Sequence, residues 1–244
     1  MNNTRKNIAL IFAGGVGTRM NTKAKPKQFL ELHGKPIIVY TLELFQTHPE
    51  IDGIIIVIVS DWTDYMQELL ERYQLSKVVT IVEGGETGQL SIYNGLIAAE
   101  KHFSVDAKIL IHDGVRPLIN HQIISDNIQQ ANLSGNAITT APTVETFVVV
   151  DDDMVVRNVP LRKNSRLAKA PQTFILKDII SAHRTALQEG ITNSIDSCTL
   201  MSQHGHQVTL VEGPVENIKI TTPTDYFMFR AIIESRENSQ IFGD

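Results

Sequence analysis

Residues 8–28 read IALIFAGGVGTRMNTKAKPKQ. An apolar run, Ile8 to Phe12, stops at Ala13-Gly14-Gly15 and gives way to Gly17, Thr18, Arg19, Met20, Lys25, Pro26, Lys27 and Gln28. The run has the length of a buried strand, and the glycines that end it permit a tight backbone turn. Such a turn aims several backbone N–H groups at one point, which suits an anionic oxygen. Arg19 and Lys27 set two fixed positive charges beside that point, so a phosphate-bearing molecule is the natural occupant. The turn is not a Walker A loop, because no Lys-Ser or Lys-Thr follows the glycines at the required spacing. Nor is it a full dinucleotide fingerprint, since Met20 stands where a third glycine is needed.

Outward from this stretch, strand candidates alternate with helical patterns, which argues for an α/β fold with a mostly parallel sheet flanked by helices. Residues 53–60 (GIIIVIVS) are nearly unbroken in branched apolar side chains, as expected of a strand buried on both faces. Further strands are predicted at 78–82, 108–112 and 207–212. Helices are predicted at 36–45, where the proline opens the first turn, and at 65–73, 91–102, 176–188 and 225–236. Residues 144–150 and 154–159 flank Asp151-Asp152-Asp153 and read as a hairpin around an acidic turn. A two-stranded ribbon is marginal alone. It packs either on the chain's own sheet or on a second subunit.

The chain has 244 residues, 42% of them hydrophobic and 20% charged, ordinary for one globular α/β domain spanning residues 1–244. Its formal net charge of −5 argues against a general nucleic-acid binder, so local positive charge is a feature of a site. One cysteine, Cys198, excludes an internal disulfide framework and fits a reducing cytoplasm. The N-terminal apolar run is too short for a signal peptide or a membrane span.

Two more constellations carry charge. His112-Asp113-Gly114-Val115-Arg116-Pro117 stands at the carboxyl end of a predicted strand, where ligands of open α/β sheets bind. Asp113 suits ribose hydroxyls or a phosphate-bound magnesium ion; Asp113-Gly114 also reads as a plain turn with Arg116 as salt-bridge partner. His112 reads as structural. In Glu216 to Asp225 (ENIKITTPTD), Lys219 lies in an apolar, strand-like run, where burial without an anion is costly. Its charge is expected to point into the same phosphate site. Thr224-Asp225 fits the opening of the last helix. No HExxH pattern and no nucleophile elbow occur, so the chemistry read here is positioning and charge neutralisation, not covalent attack.

Taken together, AGGVGTRM with PKQF, Gly84-Gly85 followed by Ser91 and NGL, HDGVRP, Glu145-Thr146, Arg162, Pro171-Gln172-Thr173-Phe174 and NIKITTPTD resemble the sugar-alcohol-phosphate cytidylyltransferases. The matches run from Ile8 to about Ile233. The resemblance implies a Rossmann-like nucleotidyltransferase domain with a protruding arm at about 142–165 that reaches a partner in a homodimer. It implies CTP plus a polyol phosphate giving a CDP-polyol and pyrophosphate, with Mg2+ held mainly by the triphosphate and only weakly by Asp113. Arg19, Lys27 and Lys219 would be catalytic by neutralising charge at the α-phosphorus. Ala13, Gly14, Gly15, Gly17, Thr18, Gly84, Ser91 and Asp113 would bind the nucleotide. Arg116, Thr146, Arg162, Ser194 and Asp196 would bind the acceptor.

The chain departs from the family pattern twice. No arginine occurs in Glu86-Thr87-Gly88-Gln89-Leu90, and Ala170, beside Lys169, replaces a threonine. Phe29 and AGG favour the ribitol-phosphate branch, of wall or capsule polymers, over the methylerythritol-phosphate branch of isoprenoid synthesis. A sugar-1-phosphate nucleotidyltransferase and a non-catalytic nucleotide-binding protein stay open.

Overall fold

The computed structural model describes residues 5–14 and 25–242. Its first strand, β1 (Asn7–Ala13), is the run that opened the sequence reading, followed by a small hairpin of β2 (Glu31–Leu32) and β3 (Lys35–Pro36). Helix α1 (Ile37–Thr47), β4 (Gly53–Ile58), α2 (Thr63–Arg72), β5 (Val78–Glu83), α3 (Gly88–His102) and β6 (Lys108–Asp113) complete the first half. The second half runs α4 (His121–Ser134), β7 (Asn136–Pro142), β8 (Val149–Val150), β9 (Val156–Asn158), β10 (Arg166–Ile175), α5 (Leu176–Gln188), α6 (Ser197–Gln203), β11 (Leu210–Glu212) and α7 (Pro223–Phe242).

Seven strands form one sheet in the order β11-β7-β10-β6-β1-β4-β5. β1 pairs in parallel with β4 and β6, and β5 and β11 also pair in parallel with their neighbours. β10 runs antiparallel between β6 and β7. Both faces are covered, which explains why β4 alternates nothing and buries every side chain. Ile38, Leu42 and Phe45 of α1, Met66 and Leu69 of α2, and Ile124 and Ile128 of α4 pack on one face. Ile92 and Leu96 of α3, Ile179 and Ile180 of α5, and Leu200 and Met201 of α6 pack on the other. Each fully buried Ile or Leu contributes roughly 1.5–3 kcal/mol over its exposed state, so the two layers fix the sheet firmly.

The differences from expectation have physical reasons. β7 and β10 carry no clear signal: β7 is NAITTAP, and Pro171 inside β10 argues against a central strand. The ladder between β10 and β7 shifts between Ala168 and Gln172, so the proline sits in the irregularity and owes no hydrogen bond to it. α4 was likewise not predicted; Asn120 caps it by accepting from the Ile123 N–H at 3.0 Å. Pro36 precedes α1 as its N-cap instead of occupying the first turn. The strand predicted at 207–212 shrinks to its last three residues. Lys219 lies in no strand at all; its backbone neighbour Ile220 donates to Val115 O at 2.9 Å.

The predicted hairpin is shorter than expected and does not join the main sheet. Asp151 Oδ1 accepts from Asp153 N and Val155 N, and Oδ2 pairs with Arg157, which closes the acidic turn. Around it, Val144, Phe147, Val148, Val149, Met154, Val155 and Val156 are exposed. Among the described residues nothing covers these side chains.

Candidate active site

The carboxyl ends of β1 and β6 lie side by side, Phe12 opposite Asp113, with Ala13 opposite Ile58 of β4. Two links tie the turns that follow: Gly84 N donates to Ile58 O at 2.8 Å, and Gly114 N to Phe12 O at 3.0 Å. The buried side chain of Gln28 donates to Ala13 O at 2.7 Å, which clamps the Pro26-Lys27-Gln28 segment to the end of β1. Phe29 anchors that segment from below, with its ring 4.9 Å from Trp62 and 5.1 Å from Tyr65. Lys27 is thereby held at the rim. Gly15, Gly17, Thr18 and Arg19 lie outside the described residues.

Ser91 is buried beside Gly14 and Gly84; a Cβ on either would stand 3.1 Å from its Oγ. Its Oγ accepts from Gly85 N at 3.0 Å and donates to Thr87 O at 2.9 Å. The hydroxyl is therefore spent on folding residues 84–87, and the absent side chains let Gly14 and Gly84 approach it closely. A cavity of about 300 Å³ opens here, lined among others by Ala13, Gly14, Lys27, Ser91, Asp113 and Lys219. Lys27 and Lys219, far apart in sequence, line the same space.

Asp113 holds two cations. Lys219 Nζ lies 2.6 Å from its Oδ1 and Arg116 Nε 2.7 Å from its Oδ2. Arg116 also donates to Asn217 O at 3.0 Å, which ties the Lys219 segment to the end of β6. Burial alone would raise the Asp113 carboxyl, but Lys219 and Arg116 outweigh it and hold the group well below the ordinary carboxylate range. One anion against two cations leaves local positive charge. The Lys219 side chain is 40% exposed, so its ammonium is within reach of a ligand. His112, fully buried beside it, is pushed down to about 4 by burial. It donates from Nε2 to Arg116 O at 3.0 Å and is structural.

A second cavity, of about 320 Å³, lies on the other side of this pair. Its walls include Gln89, Arg116, Lys169, Ala170, Gln172, His183, Ser194, Asp196 and Ser197, and it shares Phe12, Gly88, Asp113 and Lys219 with the first. The loop carrying Ser194 is suspended from the start of α3. Gln89 donates to Ile191 O and accepts from Ser194 N, both at 2.7 Å, while Thr87 Oγ1 donates to Thr192 O. Asp196 caps α6, accepting from Thr199 N at 2.8 Å, and also accepts from Gln172 at 3.0 Å. Lys169 donates to Val215 O at 2.7 Å.

Of the residues singled out from sequence, Ala13, Gly14, Lys27, Ser91, Asp113, Arg116, Ser194, Asp196 and Lys219 line one or both cavities. Gly84 sits behind its neighbour Gly85. Thr146 and Arg162 do not join them: both are exposed on the arm, where Arg162 donates to Val144 O at 3.1 Å. Gln89, Gln172 and His183 were not foreseen. Gln89 and Gln172 stand in segments quoted for the resemblance but were given no role there, and His183 lies within a run that reads only as helix.

The family model described as IspD, 2-C-methyl-D-erythritol 4-phosphate cytidylyltransferase, matches residues 7–235. The chain belongs to this family. It is 56% identical over 237 residues to the ribitol-5-phosphate cytidylyltransferase of Streptococcus agalactiae serotype V, covering 97% of this chain and 99% of the relative. It is 40% identical to the 2-C-methyl-D-erythritol 4-phosphate cytidylyltransferase of Clostridium novyi, over 94% and 97% of the two chains. The crystal structure of 4-diphosphocytidyl-2C-methyl-D-erythritol synthase from Anaerococcus prevotii superposes with a TM-score of 0.81 at 29% identity, covering 94% and 96%. The α/β architecture and the nucleotidyltransferase class follow. Among the described residues no helix is long and apolar enough to cross a membrane.

The described residues at Asp113 do not fit a protein-held divalent cation. Both carboxylate oxygens are already paired with cations, and no group of three His, Cys, Asp or Glu side chains converges among the described residues.

Proposed function

We propose that this chain transfers CMP from CTP to ribitol 5-phosphate, giving CDP-ribitol and pyrophosphate. The observation that carries the reading is the meeting of two cavities at one ion pair, Asp113–Lys219. The cavity beside Ala13, Gly14 and Lys27 takes CTP; the cavity beside Arg116 and Ser194 takes the acceptor. The high identity to a ribitol-5-phosphate cytidylyltransferase favours ribitol over methylerythritol as the polyol.

In this arrangement an oxygen of the acceptor's phosphate attacks the α-phosphorus of CTP. A new P–O bond forms as the bond from that phosphorus to the bridging oxygen of the β-phosphate breaks, and pyrophosphate leaves with the electron pair. A phosphate monoester has its second pKa near about 6 and is mostly dianionic at neutral pH, so no general base is needed. Lys219, at the junction, neutralises charge on the reacting phosphoryl group, and Lys27 does so on the nucleotide side. Arg19 is assigned the same duty from sequence alone. Magnesium, where it takes part, arrives on the triphosphate oxygens, in keeping with its preference for few protein ligands. A reaction consuming CTP belongs in the cytoplasm.

The arm at 142–165 is assigned to dimerisation, which would bring Thr146 and Arg162 from a second copy towards the acceptor cavity. Its exposed valines support this, since an isolated ribbon so apolar needs a covering surface.

The deciding experiment is pyrophosphate release with CTP and a panel of acceptors. Ribitol 5-phosphate should give the highest kcat/KM. Faster turnover of 2-C-methyl-D-erythritol 4-phosphate would move the chain to the other branch. Tight CTP binding with no turnover of any acceptor would make it a binding protein.

A further inference from the structure

Two residues lining the acceptor cavity carry polar atoms with no hydrogen-bond partner among the described residues. His183 of α5 is 1% exposed, and neither its Nδ1 nor its Nε2 makes a hydrogen bond. Its ring stacks on Tyr93 of α3, 5.8 Å between centroids and 20° between planes, which fixes its orientation. Ser197, the first residue of α6, is 3% exposed, and its Oγ is also without a partner. Both residues line the cavity that Lys219 and Arg116 also line, and the side chains of those two cations are more exposed.

Buried polar atoms normally find partners, and leaving one unsatisfied is costly. Three such atoms on two residues that line one cavity mark a place where a ligand is expected to supply the bonds. Their chemistry defines that ligand. Burial, with a smaller push from His204, lowers the His183 imidazole to about 4. The neutral ring offers one N–H donor and one lone pair, and a serine hydroxyl likewise gives and takes. An anion would meet a lone pair on the ring and no positive charge. A hydroxyl group matches both.

We infer that His183 and Ser197 form the subsite for the acceptor's hydroxyls remote from its phosphate, and so measure the length of the polyol chain. The inference rests on the proposed function: phosphate at the cationic junction, carbon chain running inward between Gln172 and Ser194, terminal hydroxyls against α5 and α6. A site built to bond a substrate hydroxyl discriminates strongly against an analogue that lacks it.

The test compares His183→Leu and Ser197→Ala with the wild type. The probes are ribitol 5-phosphate, erythritol 4-phosphate and glycerol 3-phosphate, as substrates or as competitive inhibitors. His183→Leu should lower kcat/KM for ribitol 5-phosphate roughly tenfold or more, the worth of about one good hydrogen bond, mostly through KM. The KM for CTP and the affinity for glycerol 3-phosphate, too short to reach the subsite, should stay as in the wild type. His183→Gln should restore part of the loss. Ser197→Ala removes only an unbonded oxygen, so it should melt no lower than wild type yet show the same shift in preference. Should His183→Leu fail to fold, Ser197→Ala decides alone. Wild-type preference in the variants, or an equal loss with every acceptor, would mean that packing or a trapped water occupies these groups, and would overturn the subsite. If the wild type turns over no polyol phosphate, the proposed function itself fails.

Discussion

At the scale of single residues, the chemistry turns on how Asp113 apportions its two oxygens. Arg116 is 14% exposed and Lys219 40%, so the arginine is the fixed partner and the lysine the one that can turn towards a phosphate. Replacing Lys219 by methionine keeps the volume and leaves Asp113 paired through Arg116. The expected result is a fall in kcat of about a hundredfold, by analogy with removing one preorganised donor at a developing charge. The fold should remain intact by circular dichroism. A kcat within threefold of wild type would remove Lys219 from the proposed mechanism. Lys219 lines the same cavity as Lys27, but its segment is not the strand expected from sequence, and its ammonium pairs with Asp113. Of the two open readings of Asp113-Gly114, the structure shows Arg116 as the salt-bridge partner, and Asp113 also lines both cavities. His183 was illegible because an orphaned imidazole is defined only by what does not surround it.

Among the elements, β1, β4 and β6 were readable because strands buried on both faces must be apolar throughout, and GIIIVI leaves no alternative. β7 and β10 were not, because threonines and a proline dilute their pattern and only tertiary pairing defines them. Residues 144–159 were legible as two strands and a turn, but not as to where they pack. The arm carries the expectation at this scale. Val149→Ser with Val156→Ser should leave the main sheet untouched, since β8 and β9 share no hydrogen bond with it. Wild-type protein should sediment as a dimer and the double variant as a monomer at low micromolar concentration. A wild type that sediments as a monomer at every concentration would rule out the arm's assigned role.

For the molecule as a whole, buried histidines set the acid limit of stability. His112 and His183 are each held near about 4 by burial, against 6.5 for an exposed histidine. The unfolded chain therefore binds more protons than the folded one between about pH 6.5 and 4. Their contribution is complete above that window and is lost as pH falls through it, at most on the order of 3 kcal/mol each. Asp113, held below the ordinary carboxylate range, adds stability that persists through the window and fails only in stronger acid. Urea unfolding at about pH 7.5 and about pH 4.5 should show a drop of several kcal/mol, reduced in His183→Leu. An unchanged midpoint would mean that water reaches both rings.

Because Gln89 and Thr87 hang the loop of residues 191–194 from the beginning of α3, one chamber's wall is there the other's scaffold. The inner chamber is also bounded by His183 of α5 and by Ser197 and Leu200 of α6, none of which lines the other chamber. Substitution on those two helices could therefore remould the guest's berth while the triphosphate's seat stays as it is. A lineage built on this plan can change cargo by redecorating a single partition.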